Sequence, residues 1–407
     1  MGINMLEVIG IIASVLGILA FFAVAPKDLL TNFKSWFVEP VSSISKYKHK
    51  LDIKELFDLL NVEDIRPENL FVKTPLKSSS FDSELLDYNT KLPDELEILK
   101  QKEIADKKAH SELNGLTLDN NGSFGLRRID VSRPEGTNGK RNNIYKLILE
   151  PTDYFSFVFP NLCLEKPYYS DATQENHTLR DMLSLDKKVL SISTMRNFPQ
   201  VQFKVGTGTL VVTKDGYVIC SVRSMNQFIA GKQSNDEISV HLSAAEGMYR
   251  SVNNPLCSDI DDQNKPSPFA TSARSLKDEL NLSDEHFDTK NISCIGYFTD
   301  LKRAQPFFLF YLQLNLTIDE FFSIYSNTSA DIHENEAIFA LPKNFKNLNK
   351  LFSGVSFSEL DTKYPAIYTD FFTTNSGTKV RIASNHAKAG FASYAFKDLG
   401  PITQNMI

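Results

Sequence analysis

The chain predicts an α/β domain with a mixed sheet, preceded by a single transmembrane helix and a helical connector. Three observations carry that prediction. An uncharged apolar run, VIGIIASVLGILAFFAVA (8–25), is near the lower length limit for a spanning helix. The charge-rich, helix-favouring stretch 92–113 has few positions to bury. From Tyr145 onward, short β-rich runs alternate with helical patterns.

The N-terminal span is set at 5–25. Ala23-Val24-Ala25 resembles a signal-peptide cleavage site, but Glu7 and the lack of Lys or Arg before the run argue against one, as does Pro26 after it. Lys27, Lys34, Lys46, Lys48 and Lys50 all follow the span. The positive-inside bias therefore expects an inner-membrane, single-pass protein with its N-terminus outside and its body cytoplasmic. Gly10, Ser14 and Gly17 form a small-residue stripe of the kind through which membrane helices associate, or simply reflect ordinary helix composition. A homo-oligomer in the bilayer is the expected partner arrangement.

Residues 26–144 read as a helical connector with an irregular lead-in. LDIKELFDLL (51–60) is a short amphipathic pattern, and RPEGTNGKRNN (133–143) is a turn-rich break. The α/β domain is set at 145–342. YKLILEP predicts a strand and TLRDMLSL (178–185) a short helix. The best hairpin signal joins VQFKVGTGTLVVT to YVICSVRS through Lys214-Asp215-Gly216. EISVHLS (237–243) predicts a third strand, followed by a polar loop and a helix. ISCIGYFTD and PFFLFYLQLNL are further strands, IDEFFSIYS a helix, and EAIFALP a closing strand. Residues 343–407 read as a mixed helical extension.

The 407 residues are 42% apolar and 23% charged, with 30 phenylalanines, so a large core can form. The net charge of −6 gives no general attraction to nucleic acid. Four cysteines lie far apart, without the spacing of a zinc or redox pair. The histidines show no metal spacing, and there is no P-loop or nucleophile elbow.

The candidate site centres on TSARSLKDELNLS (271–283). Ser267 and Pro268 are placed to start this helix, and Phe269, Ala273, Leu276 and Leu280 make one apolar face. Arg274, Ser275, Asp278 and Glu279 fall on the opposite, polar side, and Asn281 can end the helix in place of glycine. Taken alone, such a helix also fits a solvated face. His241, on a strand beside it, reads as a half-buried structural residue.

In context, RSLKDELNL resembles the Nudix box, matching it at Arg274, Leu276, Asp278, Glu279 and Leu282. The order of hairpin, strand, loop, helix and further strands is similar to that family over about 145–342. The resemblance implies a Nudix-like α/β/α sandwich with a mixed sheet. It implies Mg²⁺ held by Asp278 and Glu279, assisted by Glu246 or by Glu334 or Glu336, with Arg223 and Arg274 as nucleotide contacts. It also departs from the family: Ser275 stands where a carboxylate belongs, Asn281 where the terminal glycine belongs, and about a dozen residues are inserted before the helix. No catalytic residue is therefore assigned.

Anchor and degenerate box together are similar to membrane-Nudix effectors of bacterial cyclic-oligonucleotide (CBASS) antiviral systems. That resemblance implies a catalytically impaired, nucleotide-sensing domain that acts on the lipid bilayer. The alternatives are a membrane-tethered, Mg²⁺-dependent pyrophosphohydrolase of nucleoside diphosphate derivatives and a membrane-anchored interaction scaffold.

Overall fold

The computed structural model describes residues 52–87, 92–113, 118–134, 143–170, 174–223, 237–326, 335–382 and 384–399. In the expected helical connector, α1 (Ile53–Leu59) and α2 (Asp94–Leu113) do form. Asp52 and Glu55 start α1 with a reciprocal capping box, both bonds being 2.8 Å. Between the two helices, however, the chain lays down strands β1 (Ile65–Leu70) and β2 (Phe81–Leu85). They are followed by β3 (Gly122–Ser132) and β4 (Ile144–Asp153). The order β2–β4–β3 makes a small sheet, with β2 parallel to β4. The predicted YKLILEP strand exists but belongs to this small sheet. Short elements come next: α3 (Tyr154–Val158), β5 (Pro167–Ser170), β6 (Glu175–Thr178) and α4 (Leu179–Met182).

The predicted hairpin then appears as β7 (Gly206–Val212) and β8 (Tyr217–Arg223). Gly216 takes φ +84°, which suits a residue without Cβ. Asp215 holds the turn, accepting from the Thr213 hydroxyl at 2.6 Å and from Ile318 N–H at 3.0 Å. The chain continues through β9 (Glu237–His241), β10 (Ala244–Gly247), α5 (Pro268–Leu280), β11 (Ser293–Asp300) and β12 (Gln305–Gln313). It closes with α6 (Ile318–Ser326), β13 (Asn335–Pro342), α7 (Phe345–Ser353), β14 (Val355–Ser356), α8 (Thr369–Thr374), β15 (Lys379–Ile382) and α9 (Asn385–Asp398).

Ten strands form one large mixed sheet in the order β1–β11–β12–β7–β8–β9–β15–β14, with β10 on β7 and β13 on β8. The pairs β12/β7 and β15/β9 are parallel. Side-chain alternation along β12 identifies what covers each face. Phe308 and Phe310 point towards Phe81 of the small sheet and Phe269 of α5, with centroids 6.4 and 4.8 Å apart. Phe307 and Leu309 point the other way, towards α9: the Phe307 ring lies 4.5 Å from that of His386, and a Cβ on Gly390 would meet Leu309 at 3.2 Å. Buried apolar side chains on both faces explain why β7 and β11 are buried along their whole length.

The expected sandwich behind a membrane helix is corrected accordingly. The fold is mixed α/β, and one face of its main sheet is covered by a second sheet together with α5, because β2, β3 and β4 carry aromatic residues that a charged connector would lack. Strands from both sides of the 145–342 interval, β1 before it and β14 and β15 after it, complete the large sheet. Among the described residues, no helix is long and apolar enough to cross a membrane. The longest of the described helices, α2, buries only Leu96, Ile104 and Ser111. The 5–25 run, with Gly10, Ser14 and Gly17, lies outside the described residues, as does Glu334.

A fork in the sheet positions the candidate site. β7 and β8 pair only next to their turn, at Val212 and Val218. Beyond that point β10 takes the edge of β7, while β9 takes the edge of β8. Ser243, between β9 and β10, bridges the fork: its Oγ accepts from Val211 N–H at 2.8 Å and donates to Ile219 O at 2.6 Å.

Candidate functional site

Helix α5 packs against β10 and β7. It begins at Pro268, as its sequence predicts, but the Ser267 side chain makes no capping bond. The Ser267 N–H instead donates to Asp259 O at 2.9 Å. At the other end, Asn281 adopts φ +54° and returns its N–H to Leu276 O, the left-handed stop that asparagine tolerates. Phe269, Ala273, Leu276 and Leu280 are buried as periodicity predicts.

The polar side is not uniformly solvated, which corrects the expected single buried face. Ser272, Ser275 and Glu279, spaced along one stripe of the helix, are buried too. The Ser272 and Thr209 hydroxyls lie 2.7 Å apart. Ser275 donates to Ser272 O at 2.9 Å, so its hydroxyl is turned back into its own helix.

Glu279 and Arg223 form a buried clamp on one residue of β10, Ala245. Glu279 accepts from Ala245 N–H at 2.8 Å, and Arg223 donates to Ala245 O at 2.8 Å. The two side chains lie 3.2 Å apart and are 2% and 10% exposed. The end of β8, the wedge strand β10 and helix α5 are thereby tied together across the fork.

Arg274 anchors a second group. Its Nε and Nη2 grip the Asp259 carboxylate at 2.8 and 3.1 Å, the forked geometry guanidinium favours. It also pairs with Glu246, reaches Asp278 at 3.4 Å, and donates to Gly247 O at 3.2 Å. Its guanidinium lies 5.8 Å from the Tyr249 ring centroid. Burial works against its charge, but Asp259 and Glu246 outweigh that and raise its pKa. Asp259 further accepts from Tyr249 N–H at 2.7 Å and from the Thr271 hydroxyl at 2.9 Å. It thus pins the 248–267 segment to the helix.

The structure therefore brings together Arg223 with Glu279, and Arg274 with Glu246 and Asp278. Glu336 is exposed, at the β13 bulge next to the Asn335–Arg223 pairing. His241 lies on β9, and burial, then Arg223, Arg303 and His386, lower its pKa to about 3. It is neutral and a poor proton acceptor.

These residues do not fit a resident divalent cation. Glu279 is turned onto a peptide N–H and a guanidinium, while Glu246 and Asp278 face Arg274. Among the described residues, no group of three or more His, Cys, Asp or Glu could hold a metal ion. Hard cations need several such oxygens converging.

Two participants escaped the sequence. Asp259 is one of three aspartates in the 248–267 segment, and only the fold selects it as the partner of Arg274. Lys204 stands beside Gly247, where a Cβ would come within 2.7 Å of its Cε. Its signal was a lone cation within the apolar run VQFKVGTGTLVV. Compared with known proteins, the chain matches no family model and no curated protein.

Proposed function

We propose that residues 145–342 act as a Nudix-like module that binds a nucleotide without hydrolysing it, as the sensing part of an antiviral effector. One observation carries this reading: the groups hydrolysis would use neutralise one another, Glu279 against Arg223, and Glu246 and Asp278 against Arg274. Metal-activated water needs a cluster of carboxylates left for the metal and a base beside the water. At this site the carboxylates are bound to arginine, the Ser275 hydroxyl is turned inward, and His241 is held neutral.

The topology supports the family resemblance. A hairpin splays around a wedge strand, the helix lies on that wedge, β12 joins β7 in parallel, and β13 closes on β8. The pyrophosphohydrolase alternative would require both arginines to release their carboxylates.

The test is to incubate the full chain with Mg²⁺ and a panel of ADP, ADP-ribose and cyclic oligonucleotides, following phosphate-bond cleavage and thermal stability together. A ligand-dependent rise in Tm without cleavage is expected, since a ligand preferring the folded state stabilises it. Cleavage that disappears in Glu279→Gln would sink the reading in favour of the hydrolase. No response to any nucleotide would favour the scaffold.

A further inference from the structure

The two arginines assigned to phosphate recognition are committed to carboxylates, so an anion must be held elsewhere if the nucleotide reading is right. Lys204, just before β7, has its ammonium 5.4 Å from the Tyr154 ring centroid and 5.8 Å from that of Phe157. Lys107 of α2 faces the same Tyr154 ring at 5.8 Å. Gly247 makes the placement possible, because a methyl group there would lie 2.7 Å from Lys204 Cε and 3.1 Å from Nζ. The amine therefore reaches the end of β10, next to the carbonyl that Arg274 contacts.

The charges around it are those of Glu246 on β10, Arg274 on α5 and Asp153 at the end of β4. Glu246 pairs with Arg274, and Asp153 accepts from Ser156 N–H at 2.8 Å. Among the described residues, Lys204 makes no ion pair. Contact with aromatic faces recovers only part of the hydration that a partly buried ammonium gives up. Burial accordingly lowers its pKa to about 8, with Glu246 pulling upward and Arg274 downward. A compact ammonium on a flexible stem suits a phosphate oxygen, and a phosphate would supply the missing counter-charge.

We propose that Lys204, beside the Tyr154 ring, is the phosphate contact of the site for a nucleoside diphosphate, and that Arg223 and Arg274 are structural. The proposal rests on the nucleotide-binding reading. It is tested by titrating the full chain with ADP in a calorimeter, comparing wild type with Lys204→Met, Gly247→Ala and the exposed-site control Lys188→Met. Lys204→Met should weaken binding at least tenfold. Gly247→Ala, which displaces the amine but keeps its charge, should weaken it similarly, and Lys188→Met should not. Amine acylation of the wild type, read by mass spectrometry, provides a measurement that needs no variant: saturating ADP should protect Lys204.

ADP binding equally to wild type and Lys204→Met, or Lys204 acylating at the same rate with and without ADP, overturns the assignment and leaves nucleotide binding standing. Failure of ADP to bind wild type also overturns it, while the broader reading is then decided by the other nucleotides in its panel.

Discussion

Replacing Glu279 by alanine tests whether the buried clamp holds the forked sheet together. The substitution removes the acceptor for Ala245 N–H and the carboxylate facing Arg223, in surroundings where the two side chains are 2% and 10% exposed. Water cannot readily replace either contact. Losing one member of a buried ion pair costs about 3–5 kcal/mol, chiefly by leaving the other charge uncompensated. An unfolding entropy of about 2.1 cal/mol/K per residue, taken over the Asp52–Gly400 unit, amounts to roughly 0.7 kcal/mol/K. The expected fall in Tm is therefore about 4–7 °C. Scanning calorimetry of Glu279→Ala, Arg223→Met and the double variant Arg223→Met/Glu279→Leu reads it directly. The double variant should regain about half of the loss, because an apolar pair can replace a buried ionic one at little cost. A Tm within about 1 °C of wild type for Glu279→Ala, or a coupling energy within about 0.5 kcal/mol of zero, would refute the clamp.

Three further outcomes follow from the same geometry. Ser275→Glu, which supplies the carboxylate of the Nudix box that this helix resembles, should not confer hydrolysis and should destabilise by about 3 kcal/mol or more, since position 275 is fully buried one turn from Glu279; a Tm rescued by Mg²⁺ would contradict the poor fit of these residues to a cation. Asp259→Ala should cost about 1–3 kcal/mol and make the 248–267 segment sensitive to protease, because Thr271 and Tyr249 N–H lose their shared acceptor while Arg274 keeps only Glu246, Asp278 and Gly247 O; urea midpoints and peptide mapping check both. Burial lowers the pKa of His241 to about 3 and that of His386 to about 4, against Asp300 in the latter case. Both are neutral when folded but protonate near pH 6.5 when unfolded, so their stabilising effect is present above pH 6.5. It falls by about 1.4 kcal/mol per pH unit for each histidine as pH drops towards 4. His386→Gln should flatten that slope in melting curves between pH 7 and 5.

The elements themselves were legible where one local rule governs them. Alternation and turn chemistry located β7, β8, β9, β11 and β12, and the pairing of Pro268 with Asn281 located both ends of α5. Burial of Phe269, Ala273, Leu276 and Leu280 followed from helical periodicity. Ser275 and Glu279 did not, because serine and glutamate read as solvent-facing until β10 is laid against them. The connector misled for a related reason: β1, β2 and β3 are short or irregular, and their partners lie far along the chain, as with Ile65 opposite Asp300.

The sequence by itself determined the strands β7, β8, β9, β11, β12 and β13, the helices α5 and α6, and the placing of Arg274, Ser275, Asp278 and Glu279 on one helix. Those are matters of residue type and spacing over a few turns. Only the tertiary structure decided what each charge faces: Arg223 and Arg274 meet carboxylates, while Lys204 meets two aromatic rings. A charge acts through its neighbours within a few ångströms, and here those neighbours come from strands and loops separated by tens of residues.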